Sequence, residues 1–207
     1  GQAELVGNPV RQSVMNIAKR DVSSPINILV VGGSLGAQVL NQTLPEAFKV
    51  LNNTAPISVW HQTGKGHLST VETAYKMHGF ADGNTKIAEF IDDMDAAYSW
   101  ADIVVCRAGA LTVSEIAAAG KMAVFVPFPH AVDDHQTANA QYLVMANGAL
   151  LMPQGQFNKQ SIVELLSPYL AQPSLITEMA TNAKKQAILD ATASVATHCE
   201  QVTNKRK

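Results

Sequence analysis

The sequence predicts an α/β protein built as a Rossmann-like, doubly wound parallel sheet of about six strands. Three observations carry that prediction. Short apolar, β-branched runs alternate with longer stretches of helical period, the pattern of βαβ units. The first run, Ile26–Val31 (INILVV), is apolar almost throughout, as a strand buried on both faces must be. Glycines follow it at once (Gly32-Gly33-Ser34-Leu35-Gly36), where such a sheet turns from strand into helix.

Taken in order, residues 1–25 are polar, contain Pro9 and Pro25, and read as a leading segment or linker before a domain over 26–207. Ile26–Val31 is the first strand, and Leu35 to Leu51 is helical, with Pro45 as an expected kink or break. Ile57–His61 is the second strand and Leu68–His78 a helix. Thr85–Phe90 and Met94–Trp100 form the third strand–helix pair, Ile103–Cys106 and Leu111–Ala119 the fourth, the latter helix ended by Gly120. Ala123–Val126 is the fifth strand, His135–Ala146 a helix, and Ala149–Met152 the sixth strand. Only helical patterns remain, over Asn158–Ala171 and Ser174 to about Val202, before a basic tail.

The chain has 207 residues, enough for one domain, or two small ones, and for a core that needs no staples. A 47% apolar and 15% charged composition excludes a disordered chain, which would be charge-rich. Fifteen Lys plus Arg against 17 Asp plus Glu leaves a net charge of −2, without the basic face a nucleic-acid binder needs. A small anionic ligand stays open, because backbone N–H groups can hold one. Cys106 and Cys199 stand far apart in no metal-ligand spacing, so two reduced thiols in a cytosolic protein are expected. The first twenty residues lack the apolar core of a signal peptide. The longest apolar stretch, Ala108 to Phe128, is interrupted by Ser114, Glu115 and Lys121, so no membrane span is expected.

In a sheet of this kind the ligand sits beyond the C-terminal strand ends, near the switch in strand order. The Gly32–Ala37 loop suits a phosphate or diphosphate, or else is a plain tight turn. It is neither GxGxxG nor a Walker loop, and no acidic residue follows the second strand near Gln62, which counts against a dinucleotide-dependent oxidoreductase. After the fourth strand, Thr112 and Glu115 fit an S/T-x-x-E capping box; the alternative is that Glu115 offers its two oxygens to a vicinal diol such as a ribose. After the third, Asp92 or Asp93 is a helix cap, or the backbone there reads a base edge. After the fifth, His130, Asp133, Asp134 and His135 match no standard metal spacing. Asp133 or Asp134 is expected to cap the next helix, with His135, Gln136 and Asn139 lining a polar pocket. No Ser–His or Cys–His pairing is evident, so nucleophilic catalysis has no support.

Taken together, GNPVR (7–11), VVGGSLGA (30–37), NQTLP (41–45), WHQTGKG (60–66), EFIDDM (89–94), the run 97–129 and HQTANA (135–140) resemble the C-terminal half of the MurG family. These are bacterial transferases that add GlcNAc to the undecaprenyl-linked muramyl-pentapeptide of peptidoglycan synthesis. The similarity runs from about Gly7 to Ala149 with its motifs in order. It implies one half of a two-domain GT-B glycosyltransferase, the half that binds UDP-GlcNAc. By motif it puts Arg11 and Ser34 near the donor phosphates and the Ile91 backbone on uracil. It puts Ala110, Leu111, Thr112, Val113 and Ser114 at the diphosphate, Glu115 on the ribose hydroxyls and Gln136 on the GlcNAc hydroxyls. Arg107 would approach the pocket without being a ligand. The resemblance implies no cofactor, no metal and no catalytic residue in this chain. The family's other half carries the acceptor site, the proposed catalytic His and the patch that holds the whole enzyme to the cytoplasmic face of the membrane. A non-catalytic module that binds or senses a nucleotide sugar is the alternative on the same fold.

Overall fold

The computed structural model describes residues 7–33, 36–80, 83–129 and 134–204. Six parallel strands form one sheet: β1 (Ile26–Val31), β2 (Ile57–Gln62), β3 (Thr85–Ala88), β4 (Ile103–Cys106), β5 (Met122–Phe125) and β6 (Ala149–Leu151). Their spatial order is β3-β2-β1-β4-β5-β6, the doubly wound order, with the switch between β1 and β4. The register brings Val31 opposite Cys106, so the loops after β1 and β4 leave the sheet side by side.

Alternation along the strands divides the core in two. Ile28 and Val30 of β1, with Ile103 and Val105 of β4, face α2 (Gln38–Leu51), α3 (Leu68–Met77) and α7 (Lys159–Ala171). Leu29, Val104 and Cys106 face the other way, toward α4 (Met94–Trp100), α5 (Ala110–Ala119) and α6 (His135–Val144). That second layer also holds α1 (Gln12–Met15), which arises within the leading segment and buries Val14 completely. Burial on both faces is why these strands read as continuous apolar runs. Asn27 is the polar exception in β1; its N–H donates to Asp102 and its amide to the Trp100 carbonyl, so neither group is orphaned.

Most elements end within two residues of the sequence expectation. Three differences have physical causes. The helix expected from Leu35 starts at Gln38, after a turn closed by the Gly36 N–H on the Gly33 carbonyl. It runs through Pro45 unbroken, because Leu44, Pro45, Ala47 and Phe48 are all buried and packing outweighs one lost hydrogen bond. The single helix expected over Ser174 to Val202 is two, α8 (Pro173–Lys185) and α9 (Ala191–Asn204). The break falls where the chain returns across the domain. There the Tyr142 hydroxyl donates to the Gln186 carbonyl, and Ile188 packs on Gly7 so closely that a Cβ on Gly7 would stand 3.0 Å from it.

Candidate functional site

The switch point puts two open helix starts together. Gly109 is the N-cap of α5 and has no side-chain cap, and the first intrahelical bond is Val113 N–H to the Gly109 carbonyl. The N–H groups of Ala110, Leu111 and Thr112 therefore have no acceptor among the described residues. Thr112 lies inside the helix and caps nothing, which removes the capping-box reading of Thr112 and Glu115. Asp93, by contrast, caps α4 as expected, accepting from the Ala96 N–H at 2.9 Å. Asp134 stands at the N-cap of α6, but its carboxylate accepts from the Thr137 hydroxyl rather than from backbone.

The loop after β1 is held by close backbone approach. Gly36 has φ +73°, and a Cβ there would drive into the Thr63 carbonyl oxygen. A Cβ on Gly32 would stand 2.9 Å from the Ala37 nitrogen. Behind the loop lies a buried polar chain. The Asn41 amide donates to the Thr63 carbonyl at 3.0 Å, which leaves its oxygen facing His61 Nε2 at 2.9 Å. Nε2 must then carry the proton, and Nδ1 accepts from the Tyr75 hydroxyl at 3.0 Å. Burial lowers the His61 pKa to about 3, so the ring is neutral. An imidazole neutral when folded but protonated when unfolded stabilises fully above about pH 6.5, and that stability drains away as pH falls toward 3. The urea midpoint is expected to fall below about pH 6.5, while the His61 ring resonances stay fixed from about pH 8 to 5. A ring titrating near its ordinary value would overturn the neutral buried imidazole.

On the opposite face of the sheet, Glu115 of α5 is mostly buried, with 14% of its side chain exposed. The Tyr98 hydroxyl donates to its Oε2 at 3.1 Å, and Arg11 Nη2 lies 3.6 Å from its Oε1. Arg11 also pairs with Asp95 at 3.0 Å. Burial, and after it the Glu115 charge, raise the Tyr98 pKa far above its ordinary value, so the hydroxyl remains a donor. Ile91 is buried just before α4, and neither its N–H nor its C=O has a partner among the described residues. Ser114 faces away from the open helix start: its hydroxyl accepts from the Asn8 amide at 2.9 Å and donates to the Ala110 carbonyl.

A cleft of about 720 Å³ opens beside the start of α2. Gly32, Gly36, Gln42, Arg107, Phe128 and Gln136 are among its lining residues. Arg107 is largely spent on structure, donating to the Val126 and Pro127 carbonyls and stacking over Phe128 at 5.4 Å, and burial lowers its pKa. The Phe128 N–H donates to Gln136 Oε1 at 3.0 Å, which turns the Gln136 NH₂ outward as a donor pair. Asn139 instead ties α6 to the Ala108 carbonyl.

The structure therefore gathers Arg11 and Glu115 in one group, and Gln136 with the glycine loop in another. The first turn of α5, from Ala110 to Val113, precedes Glu115 on the same helix. Ser34, and His130 and Asp133 of the acidic–histidine cluster, lie outside the described residues. Among the described residues no three His, Cys, Asp or Glu side chains group as metal ligands. Likewise, no helix among the described residues is long and apolar enough to cross a membrane. Sequence reasoning missed Asp95 and Tyr98. Their spacing of three on α4, one turn toward the same side, is the signal that would have paired them.

Comparison with known proteins gives the chain's family and agrees with its fold. Over 206 residues the chain is 84% identical to the UDP-N-acetylglucosamine–N-acetylmuramyl-(pentapeptide) pyrophosphoryl-undecaprenol N-acetylglucosamine transferase of Pseudoalteromonas translucida (strain TAC 125). That match covers 100% of this chain and 58% of the relative, so the chain spans little more than half its length. It is 47% identical to the enzyme of the same name from Shewanella baltica (strain OS185), over 99% of this chain and 57% of that one. The crystal structure of Acinetobacter baumannii MurG superposes with a TM-score of 0.81 at 40% identity, over 91% of this chain and 55% of that one. The expected resemblance and the expected half of a GT-B fold are both met. The glycosyltransferase family 28 C-terminal domain matches residues 27–195, which take in, but for Ile26, all six strands and both helix starts of the switch point, and the chain belongs to that family.

Proposed function

We propose that this chain is the donor-binding half of an inverting N-acetylglucosaminyltransferase. The whole enzyme moves GlcNAc from UDP-GlcNAc to a lipid-linked N-acetylmuramyl-pentapeptide in peptidoglycan synthesis. The observation that carries this reading is the 84% identity, over 100% of the chain, to a relative named for that transfer. The site supports it. Uracil presents a carbonyl and an N–H on one edge, and Ile91 offers the complementary N–H and C=O. Glu115 accepts from the ribose diol. The open N–H groups of Ala110, Leu111 and Thr112 face the diphosphate, with Val113 and Ser114 completing the turn, and Arg11 and Ser34 are assigned to the phosphates by their motifs. Gln136 donates to the GlcNAc hydroxyls.

In this reading the C4 hydroxyl of the acceptor attacks the anomeric carbon from the face opposite UDP, and configuration inverts. The bond to the β-phosphate oxygen breaks and negative charge builds there. Helix-start N–H groups already aimed at that oxygen stabilise the charge without reorganising. No residue of this chain acts as general base. The acceptor site, the base and peripheral attachment to the cytoplasmic face of the bacterial inner membrane belong to the rest of the enzyme.

Calorimetric titration with UDP-GlcNAc, UDP and NADH, in the presence of EDTA, tests the reading. UDP-GlcNAc is expected to bind more tightly than UDP, and NADH not at all. Gln136→Ala removes the donors offered to the sugar as well as the acceptor for the Phe128 N–H, and it is expected to weaken UDP-GlcNAc by about tenfold and leave UDP unchanged. Equal binding of UDP and UDP-GlcNAc, indifferent to Gln136, would favour a nucleotide-sensing module instead.

A further inference from the structure

We propose that Tyr98 is a positioning residue that makes this site select ribose over sugars lacking the vicinal diol. The inference rests on the donor-site reading above and concerns what aims the Glu115 carboxylate.

Glu115 has a long, flexible side chain that would have to be ordered each time a ligand bound, at a cost in affinity. Helix α4 removes that freedom. Asp95 and Tyr98 lie three residues apart on α4 and act on the two ends of one cluster. Asp95 holds Arg11 at 3.0 Å, and Arg11 lies 3.6 Å from Glu115 Oε1. Tyr98 donates to Oε2 at 3.1 Å. Tyr98 belongs to the core cluster on this face of the sheet, with Val104, Cys106 and Ile116, and the residue is 1% exposed. Its hydroxyl has no other partner among the described residues, and it stays protonated in this setting. An ionised carboxylate has about four acceptor positions. The Tyr98 bond fills one on Oε2, and Arg11 lies against one on Oε1. One position on each oxygen then remains, which is what two adjacent hydroxyls need. A site built to accept hydroxyls discriminates strongly against an analogue that lacks them.

The test compares UDP with 2′,3′-dideoxy-UDP by calorimetry on this chain and on Tyr98→Phe, which keeps the buried ring. The parent is expected to prefer UDP by at least about tenfold. Tyr98→Phe is expected to lose roughly tenfold for UDP and little for the dideoxy nucleotide, so the preference collapses. Equal weakening of both ligands, with the preference intact, marks a purely structural role and overturns the inference. A parent that binds UDP without preferring it overturns the assignment of Glu115 to the ribose. A parent that binds neither overturns the donor-site reading itself. A second measurement needs no variant: in the parent, the Tyr98 ring resonances shift with UDP and not with the dideoxy nucleotide. No difference between the two additions counts against the proposal.

Discussion

Glu115→Ala is expected to weaken UDP and UDP-GlcNAc together, by about a hundredfold. Two hydrogen bonds from a ribose diol to a carboxylate are charge-assisted, worth roughly 1.5–3 kcal/mol each, and each 1.4 kcal/mol is a factor of ten. Both ligands carry the ribose, so their ratio should hold while both affinities fall. That separates this variant from Gln136→Ala, which is expected to weaken UDP-GlcNAc alone. The substitution also strips the acceptor from the buried Tyr98 hydroxyl and one partner from Arg11. An orphaned buried hydroxyl costs about 1–3 kcal/mol of stability, so a lower melting temperature accompanies the lost affinity. Glu115→Gln separates the two effects. It keeps an oxygen for Tyr98 and restores stability, but replaces one acceptor by a donor and still binds poorly. If Glu115→Ala stays folded and binds UDP within about threefold of the parent, Glu115 does not hold the ribose.

The fold was legible because its information is local. Period-2 and period-3.6 patterns identify strands and helices, and alternation of the two forces parallel pairing through right-handed crossovers. Once β1 and β4 are placed, the glycine loop and the α5 start must lie together. What failed was also local reading, but of features set by the tertiary structure. Thr112 and Glu115 match a capping box by spacing, yet β4 ends at Cys106 and the helix opens at Gly109, which puts Thr112 one turn too late to cap. Pro45 reads as a break but is swallowed by packing on the sheet. The long C-terminal helical pattern hides a break that only Tyr142 and Gly7, distant in sequence, require. Tyr98 escaped for the same reason: its spacing from Asp95 puts both on one side of α4, but only the packing of α4 against α5 shows that this side meets Glu115. The individual ligand roles came from ordered motifs rather than from any residue's own pattern.

Gly36→Ala is expected to be the most destabilising change in the loop after β1, and comparison with Gly33→Ala says why. Both glycines are left-handed, with φ of +73° for Gly36 and +80° for Gly33. A side chain pays roughly 1–2 kcal/mol for that backbone at either position. Their surroundings differ. Nothing lies within 4 Å of a Cβ on Gly33, whereas one on Gly36 collides with the Thr63 carbonyl. That carbonyl cannot simply retreat, because it accepts from the Asn41 amide, whose oxygen holds His61, which in turn holds the Tyr75 hydroxyl. Relieving the clash pulls on a fully buried polar chain, so overpacking adds about 1–3 kcal/mol to the backbone cost. For a domain of this size each kcal/mol is worth about 2–4 °C, so Gly36→Ala should melt roughly 10 °C below the parent and Gly33→Ala only about half as far below. The same strain should loosen the His61 hydrogen bonds, visible as faster exchange of its Nε2 proton in Gly36→Ala alone. If the two variants melt together, the close approach to Thr63 is not what requires glycine at position 36, and the loop is constrained by its backbone angles only.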